Sequence, residues 1–391
     1  MNALAIFLIF LKLGATSFGG PIAHLGYFRA EFVARRTWLD ERAFADLVAL
    51  CQFLPGPASS QVGIALGLLK GGLPGALLAW LGFTLPSALA MTAFGMAVKG
   101  LDAGANHMWL HGLKVVAVAV VAQALWGMGR SLCPDRARAS MAVAAAIVAS
   151  LIPGALAQIA VILAGGIIGR LWLVPQGSLP HSPMPFKLTK RFGIGALTLF
   201  FILLLLSPLA ARESGLYVLQ LFDAFFHAGA LVFGGGHVVL PLLQAQLVPR
   251  GWLSNDAFLA GYGAAQAVPG PLFTISAYFG AASSQSPNGW VGALVALVAI
   301  FLPGFLLVIG VLPLWEEARR HPAFQSVALG VNASVVGLLL AAFYQPVWVN
   351  GILSAADFML AVTGYLLLVF WSAPPWLVVI LCAGAAGLGW S

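Results

Sequence analysis

Two short strings, Pro55-Gly56-Pro57 and Pro269-Gly270-Pro271, interrupt long apolar stretches, and Phe18-Gly19-Gly20-Pro21 and Phe233-Gly234-Gly235-Gly236 do the same. Proline removes a backbone donor and clashes with the preceding turn, while glycine accepts angles other residues resist, so each string predicts a helix break. Broken backbone survives at membrane depth where it lines a protein-enclosed cavity, and breaks at matching positions of two halves point to a binding site. The helix restarting after Pro57 opens with Ala58, Ser59, Ser60 and Gln61, and the one after Pro271 opens with Leu272, Phe273 and Thr274. A helix start offers free N–H donors and about half a positive charge. Two of them facing one cavity, with hydroxyl and amide side chains beside them, suit a small anion. A single Pro-Gly kink more often bends a packed helix and nothing else; four breaks at duplicated positions favour the site.

Ionisable groups inside apolar stretches are costly and mark ion pathways. Lys12 lies in the first stretch, and His227 falls opposite it at the 215-residue shift that aligns the glycine strings (227 − 12). Either could neutralise an anion or carry a coupling proton, with snorkelling of Lys12 to the interface as the plain alternative. His24 and His237 follow the glycine breaks out of register with each other, which argues for hydrogen-bonded structural roles. Lys114 and Asn332 form a second aligned pair, and Gln52 and Gln266 a third, each just ahead of a Pro-Gly-Pro string. Asp46 and Asp223 are candidate intramembrane carboxylates, although Asp46 follows Asp40, Glu41 and Arg42 closely enough for an interfacial position.

The elements that must position these residues are helices in lipid. Of 391 residues, 61% are hydrophobic and 8% charged, against about 25% charged in a soluble domain. Apolar runs of spanning length recur, for example over 73–98, 139–173 and 290–314. They are continuous rather than alternating, which excludes a barrel and predicts an all-α polytopic membrane protein of roughly ten to thirteen helical segments. No basic region precedes the first run, which reads as a retained span instead of a cleaved signal. The +7 net charge comes from dispersed Lys and Arg, which fits positive-inside loops and not a nucleic-acid face. Cys51, Cys133 and Cys382 are too far apart for a disulfide framework or a metal site.

Residues 10–90 laid over 225–307 show one pattern twice. Trp38-Leu39 returns as Trp252-Leu253, Phe44 as Phe258, Gly75 as Gly292 and Pro86 as Pro303, and Gly56 and Gly270 differ by 214 positions. An ordered series at a near-constant shift indicates internal duplication. The expected organisation is an N-terminal repeat (1–173), a Pro/Ser-rich basic cytoplasmic linker (174–192) and a C-terminal repeat (193–391). Arg29, Arg35, Arg36 and Arg42 have a single counterpart, Arg250, in the second half. That asymmetry predicts opposite membrane orientation, an inverted repeat with broken helices.

Walker, His-Glu-x-x-His and Gly-x-Ser-x-Gly motifs are absent from the sequence, and no cofactor is expected. The strings Phe18-Gly-Gly-Pro21 with His24, Trp38-Leu39 and Gln52 through Gln61 resemble the chromate ion transporter family in its two-domain, single-chain form. Phe233 through His237 and Ala265 through Phe273 resemble that family's C-terminal copy. The resemblance implies a secondary transporter of the prokaryotic cytoplasmic membrane that expels chromate, with protons as coupling ion and sulfate as a chemical mimic. It carries substrate-site roles onto Phe18, Gly19, Gly20, Pro21, His24, Gln52, Pro55, Gly56, Pro57 and Gln61, and onto their second-half counterparts. Other readings are sulfate or another oxyanion as the native cargo, a membrane-embedded chromate reductase, and a channel. A homodimer is compatible with the sequence.

Overall fold

A computed structural model describes residues 3–99, 108–152, 155–174, 188–233, 236–315 and 322–388. Most of the linker, and Gly234 and Gly235, therefore lie outside the described residues. Those described form sixteen helices of eight residues or more and no strand. Five helices are long and apolar enough to cross a membrane: Ala58–Val98, Met108–Leu132, Lys190–Ser214, Gly289–Leu314 and Gln325–Gly351. Leu156, Leu171, Trp172, Leu205, Phe370 and Trp371 are largely exposed. Lipid is the solvent that tolerates such a surface, and the chain is an all-α polytopic membrane protein. Helices outnumber the ten to thirteen expected segments because the breaks subdivide apolar runs; 139–173, for instance, is split near Ile152.

The first half begins with α1 (Ala3–Thr16), then α2 (Gly20–Phe28), which continues as a π-helical turn, Arg29–Arg35. The chain reverses at Ser17–Gly19, and Phe10 of α1 meets the returning limb by stacking on Phe32, ring centroids 5.0 Å apart, and lying edge-on to Phe28. Asp40 then caps α3 (Glu41–Phe53), its carboxylate accepting the Ala43 amide at 2.7 Å, as expected for an N-cap. After the Pro-Gly-Pro break comes α4 (Ala58–Lys99), divided at Gly72 (φ 62°, ψ −154°) into two limbs. The limbs pack with Gly67 against the carbonyl of Gly75, while α1 lies on the second limb with Gly14 against the carbonyls of Gly82 and Phe83.

The second half repeats this order. Helix α9 (Tyr217–Leu231) is followed by a 3₁₀ turn and α10 (Val239–Leu247), then α11 (Asn255–Ala265), capped by Ser254. A 3₁₀ turn, Leu272–Thr274, leads into α12 (Ile275–Ala282), and α13 (Gly289–Val311) runs back beside it. Gly280 abuts the carbonyl of Gly292, and Gly229 of α9 abuts that of Ile300, matching the Gly67–Gly75 and Gly14–Phe83 approaches of the first half. Close backbone approach through small residues is how helices adhere in lipid, where burial drives nothing.

The remaining helices interlock the halves. They are α5 (Met108–Leu132), α6 (Arg136–Leu151), α7 (Ala155–Trp172), α8 (Lys190–Ser214), α14 (Pro322–Ala342), α15 (Ala355–Val369) and α16 (Pro375–Gly387). Helix α5 packs on α15 and α16, whereas α14 packs on α6 and α7. Gly112 contacts the Cys382 carbonyl, and Gly330 sits against Gly165 and Gly169, so the backbones nearly touch. His111 Nε2 lies 2.8 Å from Asp357 Oδ1 and ties α5 to α15.

Candidate functional site

Each Pro-Gly-Pro break bonds to the residue just ahead of the other half's glycine string. Gly56 and Gly270 both adopt left-handed φ, 122° and 97°, a conformation that costs an L-residue about 1–2 kcal/mol. The turn this permits aims each amide across the molecule. Gly56 N–H donates to the Val232 carbonyl at 2.7 Å, and Gly270 N–H donates to the Ser17 carbonyl at 2.9 Å. Val232 immediately precedes Phe233, and Ser17 immediately precedes Phe18. The Pro-Gly-Pro break of each half is thus fastened to the residue that leads into the glycine string of the other. Neighbouring contacts repeat the exchange: a Cβ on Gly270 would meet Ser87 Oγ at 2.9 Å, and one on Gly56 would meet the Gly304 Cα at 3.4 Å.

Beside these contacts lies a set of buried polar residues of the first half. Ser17, His24, Ser59, Ser60, Gln61, Thr84 and Ser87 are all buried. His24 Nδ1 and Ser59 Oγ are 3.3 Å apart, and the His24 ring stands edge-on to Phe83 at 5.2 Å. Gln61 Nε2 donates to the Pro55 carbonyl at 2.8 Å, which folds the amide back over the break, and Ser87 Oγ donates to the Thr84 carbonyl at 3.0 Å. Five buried atoms here lack a protein partner: Ser17 Oγ, His24 Nε2, Ser60 Oγ, Gln61 Oε1 and Thr84 Oγ1. Buried polar groups are ordinarily satisfied, and each left unpaired costs roughly 1–3 kcal/mol. Hydroxyl, imidazole and helix-start amide donors gathered in one place are the chemistry that holds a small oxyanion.

The second half places apolar groups where the first has these donors. At the repeat shifts of 214 to 217, Ser17 corresponds to Val232, His24 to Val239, Ser59 to Phe273, Gln61 to Ile275, Thr84 to Phe301 and Ser87 to Gly304. The hydroxyl equivalent to Ser60, that of Thr274, is consumed locally: both its Oγ1 and its amide donate to the Pro271 carbonyl, at 2.8 and 3.0 Å. The repeated Pro-Gly-Pro strings predict two equivalent anion-facing helix starts. The α12 start is instead a closed 3₁₀ turn with buried Leu272 and Phe273, so the donors lie on one side.

The other singled-out residues sit apart from this cluster. Gln52 is exposed, and Gln266 Nε2 reaches the Tyr262 carbonyl at 3.4 Å. His237 pairs with the Tyr262 hydroxyl. His227 Nδ1 lies 3.0 Å from Asp223 Oδ1, which also accepts Ser207 Oγ at 2.6 Å. Lys114 bridges to Asp256 at 3.0 Å, while its aligned mate Asn332 leaves its buried Oδ1 unpaired on α14. Asp46 is fully buried in the protein. Lys12 lines a cleft with Glu31, Arg35 and Arg36 and does not meet His227. Gly19 and Gly20 form the left-handed turn (φ 102° and 75°) ahead of Pro21, and the Phe18 ring lies 6.4 Å from Trp376. Ser17, Thr84 and Ser87 escaped the sequence reading. The available signals were the adjacency of Ser17 to the glycine string and the i, i+3 spacing of Thr84 and Ser87 around the repeated Pro86.

The profile of the chromate transporter family matches residues 4–170 and matches again over 219–388. A probable chromate transport protein of Synechococcus elongatus is 29% identical over 98% of this chain and 94% of its own length. A chromate transport protein of Pseudomonas aeruginosa is 28% identical over 85% of this chain and 78% of its own. An uncharacterised transporter of Bacillus subtilis is 37% identical over 129 residues, which make up 32% of this chain and 70% of that protein. No solved structure matches. Two matched regions, each containing one glycine break and one Pro-Gly-Pro break fastened to the other region's, place the chain in the chromate transporter family.

Proposed function

We propose that the chain is a secondary transporter that exports chromate from the cytoplasm of a prokaryotic cell, driven by the proton motive force, and that it confers chromate resistance. The observation that carries this reading is the pair of bonds by which Gly56 and Gly270 cross between the halves, together with five unpartnered buried polar atoms on the first-half elements beside them. Four of these atoms, Ser17 Oγ, His24 Nε2, Ser60 Oγ and Thr84 Oγ1, can donate, and a tetrahedral oxyanion accepts several such bonds at once, whereas Gln61 Oε1 can only accept. The relatives bear transport names, which favours transport over a reductase, and duplicated broken helices suit alternating access better than a fixed pore.

The two repeats, 1–173 and 193–391, run in opposite directions through the membrane. Three long spans precede α9: the second limb of α4, α5 and α8. Helices α6 and α7 form a pair with basic residues at both outer ends, Arg136 and Arg138 before and Arg170 after, so the pair returns to the side it left. An odd number of crossings then puts the second repeat upside down. The donors belong to the first repeat, whose basic Arg29–Arg36 segment faces the cytoplasm under the positive-inside rule.

The test is radiolabelled chromate uptake into everted vesicles energised by a proton gradient, with sulfate as competitor. Gradient-dependent, sulfate-sensitive uptake is expected. Uptake that persists undiminished after the gradient is collapsed would remove the proton coupling, and uptake equal to empty vesicles would remove the chromate assignment.

A further inference from the structure

Between α1 and the π-helical turn after α2 lies a cleft of about 200 Å³, lined by Leu8, Ile9, Lys12, Leu13, Glu31, Arg35 and Arg36. That volume is below the several hundred Å³ of sites for drug-sized molecules, and fits an inorganic ion. Its charges are three cations against one carboxylate. Glu31 already engages both arginines, Arg35 through Oε2 at 2.9 Å and Arg36 through Oε1. Burial alone would raise its carboxyl, but Arg36 and Arg35 together hold it below the ordinary carboxylate range, so it is ionised. Lys12 has no ion-pair partner among the described residues. The cleft therefore has a net charge of +2 and one uncommitted ammonium, and the Glu31 bridges hold both guanidinium groups in place.

The cleft lies less than two turns of α1 from Ser17 of the buried cluster. Lys12 and Ser17 are five positions apart on α1 and its C-terminal extension, about 7.5 Å at helical rise. Arg35 and Arg36 belong to the basic segment assigned to the cytoplasmic surface. The geometry points to a capture site: the cleft binds a tetrahedral oxyanion dianion from the cytoplasm before it enters the Ser17–His24–Ser60 cluster, with Lys12 as the ligand that supplies free charge. The identity of the dianion rests on the transport reading above. Opposite charge concentrated at a cleft mouth raises local ion concentration and on-rate, and the effect falls with ionic strength.

The phosphate of an anionic lipid presents the same chemistry, and the exposed Leu8 beside the cleft could accept an acyl chain. The experiment therefore uses the full chain in nanodiscs of phosphatidylcholine alone and in nanodiscs containing phosphatidylglycerol, with chromate binding read by tryptophan quenching at low salt. In phosphatidylcholine, Lys12→Gln is expected to weaken chromate binding about tenfold, equivalent to 1.4 kcal/mol. Lys12→Arg should restore binding to within about twofold, and Glu31→Gln should tighten it. Unchanged chromate binding by Lys12→Gln in phosphatidylcholine would overturn the capture site. So would a Lys12 effect confined to phosphatidylglycerol discs, which would assign the cleft to a lipid headgroup. Lys12-dependent binding by a protein that shows no vesicle flux would leave the cleft standing and overturn the transport reading; normal flux with Lys12-independent binding would do the reverse.

Discussion

The amide of Gly56 donates to the carbonyl of Val232 at 2.7 Å, across the interface between the two repeats. Its counterpart, Gly270 to Ser17, runs the opposite way. Each bond satisfies backbone groups that a helix break would otherwise leave unpaired in a membrane, where every such group costs several kcal/mol. Duplication and breakage are therefore coupled: the Gly56 and Gly270 amides each find their partner in the other repeat.

Gly270→Leu tests that coupling. The new side chain must adopt φ near 97° and would meet Ser87 Oγ at 2.9 Å, with the Phe83 and Gly14 carbonyls close behind. Chromate flux is expected to fall to the level of empty vesicles while the protein remains in the membrane fraction. Wild-type flux from inserted protein would show that the junction is not the pathway.

The one-sidedness of the cluster predicts unequal effects at equivalent positions. Ser60→Ala removes an unpartnered buried hydroxyl, so it should leave the apparent Tm unchanged or slightly raised and cut flux at least tenfold. Thr274→Val removes a hydroxyl already bonded to Pro271; it should cost about 1 kcal/mol of stability and leave flux within about twofold. Equal losses of flux in the two variants would restore the symmetric site expected from sequence.

A stability prediction concerns His111 and Asp357. Asp357 is buried and also accepts the amides of Leu353 and Ser354 at 3.0 and 2.9 Å. His111→Leu takes away its side-chain partner and is expected to destabilise the α5–α15 contact by about 1–3 kcal/mol, read as a drop in thermal midpoint in detergent. Asp357→Asn in the same background should recover part of that drop, because the uncompensated charge is gone.

Gly330→Leu should act on assembly. Gly330 packs against the backbone of Gly165 and Gly169, so a branched side chain would push α14 off α7. Loss of folded protein, scored by fluorescence-detected size exclusion, is the expected outcome, with Gly195→Leu, where a Cβ meets nothing within 4 Å, as the tolerated control.

Much of this architecture was legible in the sequence because lipid leaves few options. Continuous apolar runs have to be helices, and Pro-Gly strings in those runs have to be breaks, so the fold class and the breaks followed from residue types alone. The repeat was legible through its turn residues, which backbone geometry fixes. The polar content of the site was harder to see. Ser17, Thr84 and Ser87 are small hydroxyl residues of a kind common in membrane helices, and nothing in their types distinguishes a donor facing a cavity from one bonded to its own helix. Alignment pairs Lys12 with His227 by repeat position, and the structure places one in the Glu31 cleft and the other against Asp223.

The most direct measurement is proton-gradient-driven chromate uptake into everted vesicles carrying the wild type, Ser60→Ala or no transporter, with protein quantified in each membrane. Uptake by the wild type, collapsing toward the empty-vesicle level in Ser60→Ala, is the predicted result. Equal uptake by wild type and Ser60→Ala, or none by a verified wild type, would contradict the assignment of the buried first-half cluster as the oxyanion pathway.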